Sequence, residues 1–463
     1  MRFLPTTLLV LCATPLLAQQ PTPAQREARE ILAEMVGMNT SEVRGDVTPL
    51  AEKLAARFRA AGIPAADVIV IGAAERHRNL VVRIRGTGKA KPVLFLSHLD
   101  VVDALREDWS LDPFTLTEQD GWLYGRGTAD DKGPGATLIA GMLALARSPQ
   151  KPERDIILAL TSGEENGDVP GASWLVTNHR ELVDAEFVFN FDAGGPVIDG
   201  GALKWLELQS SEKVYYTVSL SVHNAGGHSS LPRADNAIYR LATALGRLQA
   251  YRFPIHLSEV TRAQLAAQAK YVSAAEASAI RAAIALPLNQ AAAERLAARS
   301  PGYNAILRTT CIPTMLAGGH AENALPALAR ATVNCRLIPG ESAVAALATL
   351  KRVVHDTAVT FDIVTDAKPS PPSPLLPSRL ELINSAAIET WGHALPFFPV
   401  QENGATDGLF FRNAGIPVYG LTGIAMPTGE SRMHGKDERI PAKSFAEGVT
   451  FATALIQAAA ISR

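Results

Sequence analysis

Apolar residues recur along this chain at two spacings, and in places they run on without a break. Between residues 24 and 62 they recur with the period of a helix, as in "REILAEMVGM" and "PLAEKLAARFRAAGIP". Short continuous apolar runs follow. "PVLFLSHLD", "DIILALTSGEE" and "EFVFNFDAGG" read as strands buried on both faces, and "GATLIAGMLALAR" reads as a helix. Apolar strands separated by helices indicate an α/β sheet covered on both sides.

From Val214 the pattern changes to strict alternation. Val214, Tyr216, Val218, Leu220 and Val222 fall on one face, and Tyr215, Thr217, Ser219, Ser221 and His223 on the other. That predicts a sheet with one face in a core and the other toward solvent. A helix follows ("NAIYRLATALGRLQA"), then an Ala-rich helical stretch over about 258–300 that reads as an insertion. Strands are expected near 304–316 and 329–337, a helix at "SAVAALATLKRVV" and a strand at "VTFDIV". Without the insertion the order is β-α-β-β-α-β, a ferredoxin-like split unit. "KPSPPSPLLP" is a stiff Pro-rich linker, after which "FFPV", "PVYGL" and a helix from about Lys443 resume the buried α/β pattern. The expected fold class is α/β, a large α/β domain with a smaller α+β domain inserted. The divisions fall at 19–212, 213–367 and 368–463, after a leader at 1–18.

Length, at 463 residues, suits such an organisation. A net charge of −2, with no block of like charge, offers nothing to nucleic acid or to an anionic membrane surface. "MRFLPTTLLVLCATPLLAQQ" changes the picture at the N-terminus. Arg2, an apolar stretch too short to span a bilayer, and Ala18 before Gln19 read as a secretory signal peptide. The expected product is therefore exported, periplasmic or secreted. Leu11 stands where a lipidated Cys12 would want a small residue. After cleavage only Cys311 and Cys335 remain, and either a disulfide or two free buried thiols fits them.

The candidate chemistry sits where the buried strands end. His98 and Asp100 in "LSHLDVV" lie two apart and leave the same face. A metal-binding imidazole wants a carboxylate to orient it, which Asp100 can supply. In "GRGTADDKGP", Asp130 and Asp131 sit beside Lys132 at a turn entering a helix, where one carboxylate can give an oxygen to each of two cations. Glu164 and Glu165 in "LTSGEENGD" follow another strand; one can bind metal while the other takes a proton from water. Asp192 in "FNFDAGG" and His434 in "SRMHGKDERI" complete the set. Taken singly each has a plainer reading: a helix cap, a solvated acidic loop, a turn Asp, a loop His. Together they amount to two histidines and three carboxylates, N/O donors suited to zinc, manganese or cobalt.

In their order, "SHLDVV", "GRGTADDKG", "SGEENG", "NFDAGG" and "MHG" closely resemble the co-catalytic metallopeptidases, with carboxypeptidase S the most similar branch. That family includes carboxypeptidase G, carboxypeptidase S, carnosinase-type dipeptidases and aminoacylase. The resemblance implies two divalent metal ions, zinc first among the candidates. His98, Asp130 and Asp192 would hold one ion; Asp130, Glu165 and His434 would hold the other. Asp100 would orient His98, and Glu164 would be the general base. The Asp130–Asp131 peptide would be cis. The inserted domain becomes a lid and dimerisation domain. Within it "NAGGHSSLP" places His228 as the oxyanion-stabilising histidine, which comes from the second subunit in dimeric members. "AENALPALARATVNCRLIPG" offers Asn323 and Arg336 to the substrate, and Arg suits a free carboxylate. Asn334 departs from the family, where Asp is common.

The implied function is an exported dinuclear-zinc carboxypeptidase or dipeptidase acting on small peptides. The alternative is an N-acyl amino-acid amidohydrolase on the same site. A metal-stabilised binding scaffold is the non-enzymatic reading, and an intact Glu164 argues against it. A homodimer would fit the family.

Overall fold

A computed structural model describes residues 20–165 and 169–461 of the protein. The signal-peptide expectation and Cys12 lie outside the described residues.

The continuous apolar runs form the middle of a ten-stranded sheet. Ile156–Thr161, Val93–His98, Phe187–Asn190 and Val418–Gly420 lie side by side and parallel. Every residue of Val93–His98 and Ile156–Thr161 is buried. Alternate side chains feed two cores. Phe95 and Leu158 pack with Leu138, Met142 and Val449, from the helices Lys132–Ala146 and Ala442–Ala460. Leu94, Leu96, Ile157 and Ala159 pack with Leu175 and Phe411, from Gly171–Asn178 and Gly408–Asn413 on the other face. Residues of period two buried on both sides are what a parallel sheet between helices requires. The helix Lys132–Ala146 is buried nearly throughout. At Gly141 a Cβ would lie 2.8 Å from Ile456 Cδ1, so glycine lets the last helix close upon it.

The smaller sheet is antiparallel, in the order Thr310–Gly318, Leu328–Leu337, Val214–His223, Val359–Thr365. Ala237–Ala250 and Ala343–Val354 cover its apolar face. The architecture is that of a large α/β domain with a smaller α+β domain inserted in it.

Two details differ from the sequence expectation. The helix Pro301–Leu307 occupies the first part of the strand expected at 304–316. Ser300 accepts from the Tyr303 N–H and Pro301 opens the first turn, a strong local start signal. The polar face of Val214–His223 is also mostly buried: Thr217 and Ser221 are only 4% and 2% exposed. The strand is central, and long neighbours lie over its small hydroxyls. Asn334 Nδ2 donates to Thr217 Oγ1 at 2.9 Å, and Arg330 Nε to Ser221 Oγ at 3.1 Å. As expected, the Ala-rich stretch is helical: it forms Glu259–Gln268, Ala274–Ala283 and Gln290–Ala297, the first packing onto the large sheet's Phe397–Glu402 strand and the others onto neighbouring helices. Cys311 and Cys335 face each other across adjacent strands and are disulfide-bonded.

Candidate metal centre

Three adjacent parallel strands deliver their carboxyl ends to one place, the usual position of a site in an open α/β sheet. His98 ends one strand, Glu164 and Glu165 follow the next, and Asp192 follows the third. The loop 125–131 enters beside them. Glycines answer to close approach here: in the loop a Cβ on Gly127, whose φ is +87, would sit 2.9 Å from Val101 Cγ1, and in the first turn of the following helix a Cβ on Gly133 would sit 1.9 Å from the Thr128 carbonyl oxygen. Lys132 is fully buried and turns away, donating to the carbonyls of Met35 and Met38 at 2.8 Å each. It pins the loop to the end of the helix Pro23–Val36.

Asp130 is the centre of the cluster. Its Oδ1 lies 2.9 Å from His98 Nε2, and its Oδ2 lies 3.0 Å from His434 Nε2. His98 Nε2 is also 3.5 Å from Asp192 Oδ1, and His434 Nε2 is 3.0 Å from Glu165 Oε2. Donor atoms of His98, Glu164 and Asp192, and again of His98, Asp130 and Glu165, lie within 4.8 Å of one another. The Asp130–Asp131 peptide is cis. Asp131 does not face the histidines' donor atoms; its Oδ2 accepts from the His98 N–H at 3.2 Å.

Asp100 holds its neighbours differently from the expectation. His98 Nδ1 meets the Asp100 backbone carbonyl at 2.9 Å, while the Asp100 carboxylate is 3.8 Å away. That carboxylate accepts instead from the N–H groups of Glu164 and Glu165, at 3.3 and 2.9 Å. Asp100 therefore fixes the His98 tautomer through its main chain and the glutamate loop through its side chain.

The electrostatics are those of crowded carboxylates around two bases. Burial pushes Asp192 up to about 7, with the His98 ring pulling the other way. Burial, and then the Asp192 charge, raise Glu164 well above the usual carboxylate range. Burial opposes ionisation of Asp130, but hydrogen bonds from His434 and His98 outweigh it and hold its carboxyl low. Asp130 and Glu165 raise His434 to about 10. Protons thus sit between the donors, and a divalent cation competes with them for the same lone pairs. The buried Glu165 Oε1 has no hydrogen-bond partner, and all the donors are N or O. The residues present therefore fit zinc-like divalent ions.

The lid residues stand apart from this cluster. His228 and Asn323 are exposed and adjacent: the Ser229 N–H donates to the Asn323 carbonyl at 3.0 Å, and His228 Nδ1 meets Ser230 Oγ at 2.7 Å. Among the described residues, no hydrogen bond or ion pair joins either of them to the donor set. Arg336 is half-buried over the Tyr215 ring at 4.4 Å, within the fields of Glu164 and Glu402.

Sequence reasoning missed two buried acids. Asp407 accepts from Thr161 Oγ1 at 2.6 Å, beneath the glutamate loop. Glu438, fully buried, accepts from Arg126 Nη1 at 2.6 Å and from the N–H groups of Gly127, Ala129 and Asp130 at 3.0, 2.8 and 3.1 Å. The one available signal is its place in "HGKDERI", four residues after His434.

A carboxylate shared between two histidines, at the strand ends of an α/β domain that carries a lid, defines a metal-dependent hydrolase acting on amide bonds. The chain belongs to peptidase family M20/M25/M40, whose model matches residues 94–458. It is 30% identical to human N-fatty-acyl-amino acid synthase/hydrolase PM20D1 over 79% of this chain and 74% of that protein. It is 29% identical to the probable carboxypeptidase S-like 2 of Dictyostelium discoideum, over 82% of this chain and 74% of that one. The crystal structure of the M20 family metallo-carboxypeptidase Sso-CP2 from Sulfolobus solfataricus superposes with a TM-score of 0.71 at 18% identity. It covers 94% of this chain and 99% of that one.

Proposed function

We propose that the protein hydrolyses the amide bond on the amino side of a terminal amino acid bearing a free carboxylate. It does so with two divalent cations, zinc first among them. The observation that carries this is Asp130, whose two oxygens each meet a different histidine. His98, Asp130 and Asp192 would hold one cation, and Asp130, Glu165 and His434 the other. Bound there, the pair would supply a water activated near neutral pH and polarisation of the scissile carbonyl. Glu164 accepts the proton of the attacking water and returns it to the departing nitrogen. Burial and Asp192 keep this carboxyl poised to hold a proton. Arg336 receives the substrate carboxylate in a bidentate grip, and Asn323 lines the same approach. His228 donates to the developing oxyanion. It reaches that position from a second subunit, and the protein works as a homodimer. The outer strand Thr310–Gly318 supports that pairing by exposing Ile312, Met315 and Leu316, which are 60, 68 and 72% exposed. The leader at 1–18 directs export and is then cut.

A peptide and an N-acyl amino acid share the free carboxylate and the amide. The likeness to carboxypeptidase S-like 2 supports the first and the likeness to PM20D1 the second. Metal-stripped and zinc-restored protein assayed on short peptides and on N-acyl amino acids tests the proposal. Turnover of either class only after metal is restored is expected. Equal turnover without metal, or hydrolysis of neither class by metal-loaded protein, refutes it.

A further inference from the structure

Glu438 touches none of the histidine donors, yet it organises two of the loops that carry donors. Three main-chain N–H groups of the Asp130 loop and the Arg126 guanidinium converge on its one carboxylate. The Gly125 N–H donates to its backbone carbonyl at 3.1 Å as well. Arg126 then reaches the other loop, donating through Nη2 to the Gly435 carbonyl at 3.0 Å, while its guanidinium stacks over Trp109 at 5.0 Å. Gly435 follows His434, whose φ is +62, a conformation side-chain-bearing residues avoid unless their surroundings impose it. The neighbouring Asp437 carboxylate accepts from the Ser110 N–H and hydroxyl at 2.8 and 3.0 Å, anchoring the loop from its far side.

His98 and Asp192 themselves receive no hydrogen bond from Glu438 or Arg126, and meet the Glu438 unit only through Asp130. They sit at strand ends and are set by the sheet ladder, by the Asp100 carbonyl and by Asn190 Oδ1, which accepts from the Asp192 N–H at 3.4 Å. A buried ion pair such as Glu438–Arg126 is weak support for stability by itself, because desolvating both charges offsets their attraction. An apolar pair could fill the space, but it could not accept three amide protons.

Resting on the two-cation reading above, we propose that Glu438 and Arg126 form one positioning unit for the cation held by His434, Glu165 and Asp130. The cation on the His98–Asp192 side shares Asp130 with it but keeps two donors, His98 and Asp192, that the strands set. In E438Q the amide oxygen still accepts two of the N–H groups, while the NH₂ opposes the remaining donors. In R126Q the amide contacts of Glu438 persist and the Gly435 tie is lost.

The test strips the full-length protein and reloads it with Zn²⁺. It counts bound ions and reads both dissociation constants by chelator competition, with thermal melts alongside. The expected result is two ions in the wild type, and in E438Q and R126Q one constant weakened by about 10–100-fold and the other, which shares only Asp130, moved by less than about twofold. In an H434A background, E438Q should add less than about twofold, because the two changes disable one site. Two ions in the wild type with neither constant moved, with both moved equally, or with effects that multiply in H434A overturn this inference alone. Fewer than two ions in the wild type overturns the two-cation reading and this inference with it. If E438Q does not fold, R126Q and its H434A combination decide between the same outcomes.

Discussion

Replacing Glu164 by glutamine separates its task from that of Glu165. Both glutamates hang by their N–H groups from the Asp100 carboxylate, at 3.3 and 2.9 Å. Their side chains then part: Glu165 Oε2 lies 3.0 Å from His434 Nε2, whereas Glu164 lies with His98 and Asp192. Glutamine keeps the size of the side chain and touches neither main-chain bond, so the loop should persist. What disappears is a proton acceptor. A positioned general base is worth about 10²–10⁴-fold, and each tenfold is about 1.36 kcal/mol of barrier, so the loss amounts to about 3–5 kcal/mol. The assay measures kcat, KM and bound zinc on a substrate found by the panel above. We expect kcat to fall at least about 100-fold, with KM little changed and zinc content intact. Glu165→Gln should instead lose an ion. Burial and the Asp192 charge raise Glu164, so metal-free E164Q should melt no lower than metal-free wild type. Retention of more than about a tenth of kcat in E164Q would sink the general-base role. An ion lost from E164Q but kept by E165Q would exchange the two assignments.

Three further outcomes follow from other parts of the molecule. Lys213 is buried, donates to the carbonyls of Ala305 and Arg308 at 2.9 Å each, and is pushed by burial from 10.5 down to about 7. The folded protein therefore binds this proton less tightly than the unfolded chain. Wild type should gain stability relative to K213M as pH rises from about 7 to about 10.5. A pH-independent difference between paired melts would contradict it. The Cys311–Cys335 disulfide closes a 24-residue separation, so the double serine variant should lose about 2–4 kcal/mol in denaturant titrations, and thiol counting on unfolded wild type should find none besides Cys12. Tyr271 packs against Trp205 and Phe398 at 5.6 and 5.2 Å; Y271A should cost about 1 kcal/mol beyond lost area and speed proteolysis within 258–300.

What can be read in advance divides along a physical line. Continuous apolar strands announce themselves, so the strand ends and the side chains there, His98, Glu164, Glu165 and Asp192, are placed from the chain alone. Contacts between distant segments are not legible. Glu438 reads as a surface acid in a Gly-rich loop because its donor Arg126 lies 312 positions earlier. The alternation of Val214–His223 is correct for the core face, but which face meets solvent depends on Arg330 and Asn334 from the next strand. The spacing assigns the steadying of His98 to the Asp100 carboxylate, yet the Asp100 backbone carbonyl makes that bond; residue spacing does not distinguish the two oxygens. The local start signal at Ser300–Pro301 is visible in the chain and outweighs the apolar run that suggests a strand.

The three helices over 259–297 and the following Pro301–Leu307 interrupt the lid in sequence but are fastened to the larger body. Gln401 takes Thr261 Oγ1 on its side chain at 3.2 Å and gives its N–H to Gln264 at 3.3 Å, and Tyr271 closes an aromatic trio with Trp205 and Phe398. Two crossings of the chain alone would leave an axis about which the smaller sheet could swing. A third attachment shortens the free chain between the two sheets and so narrows the swing open to the smaller one.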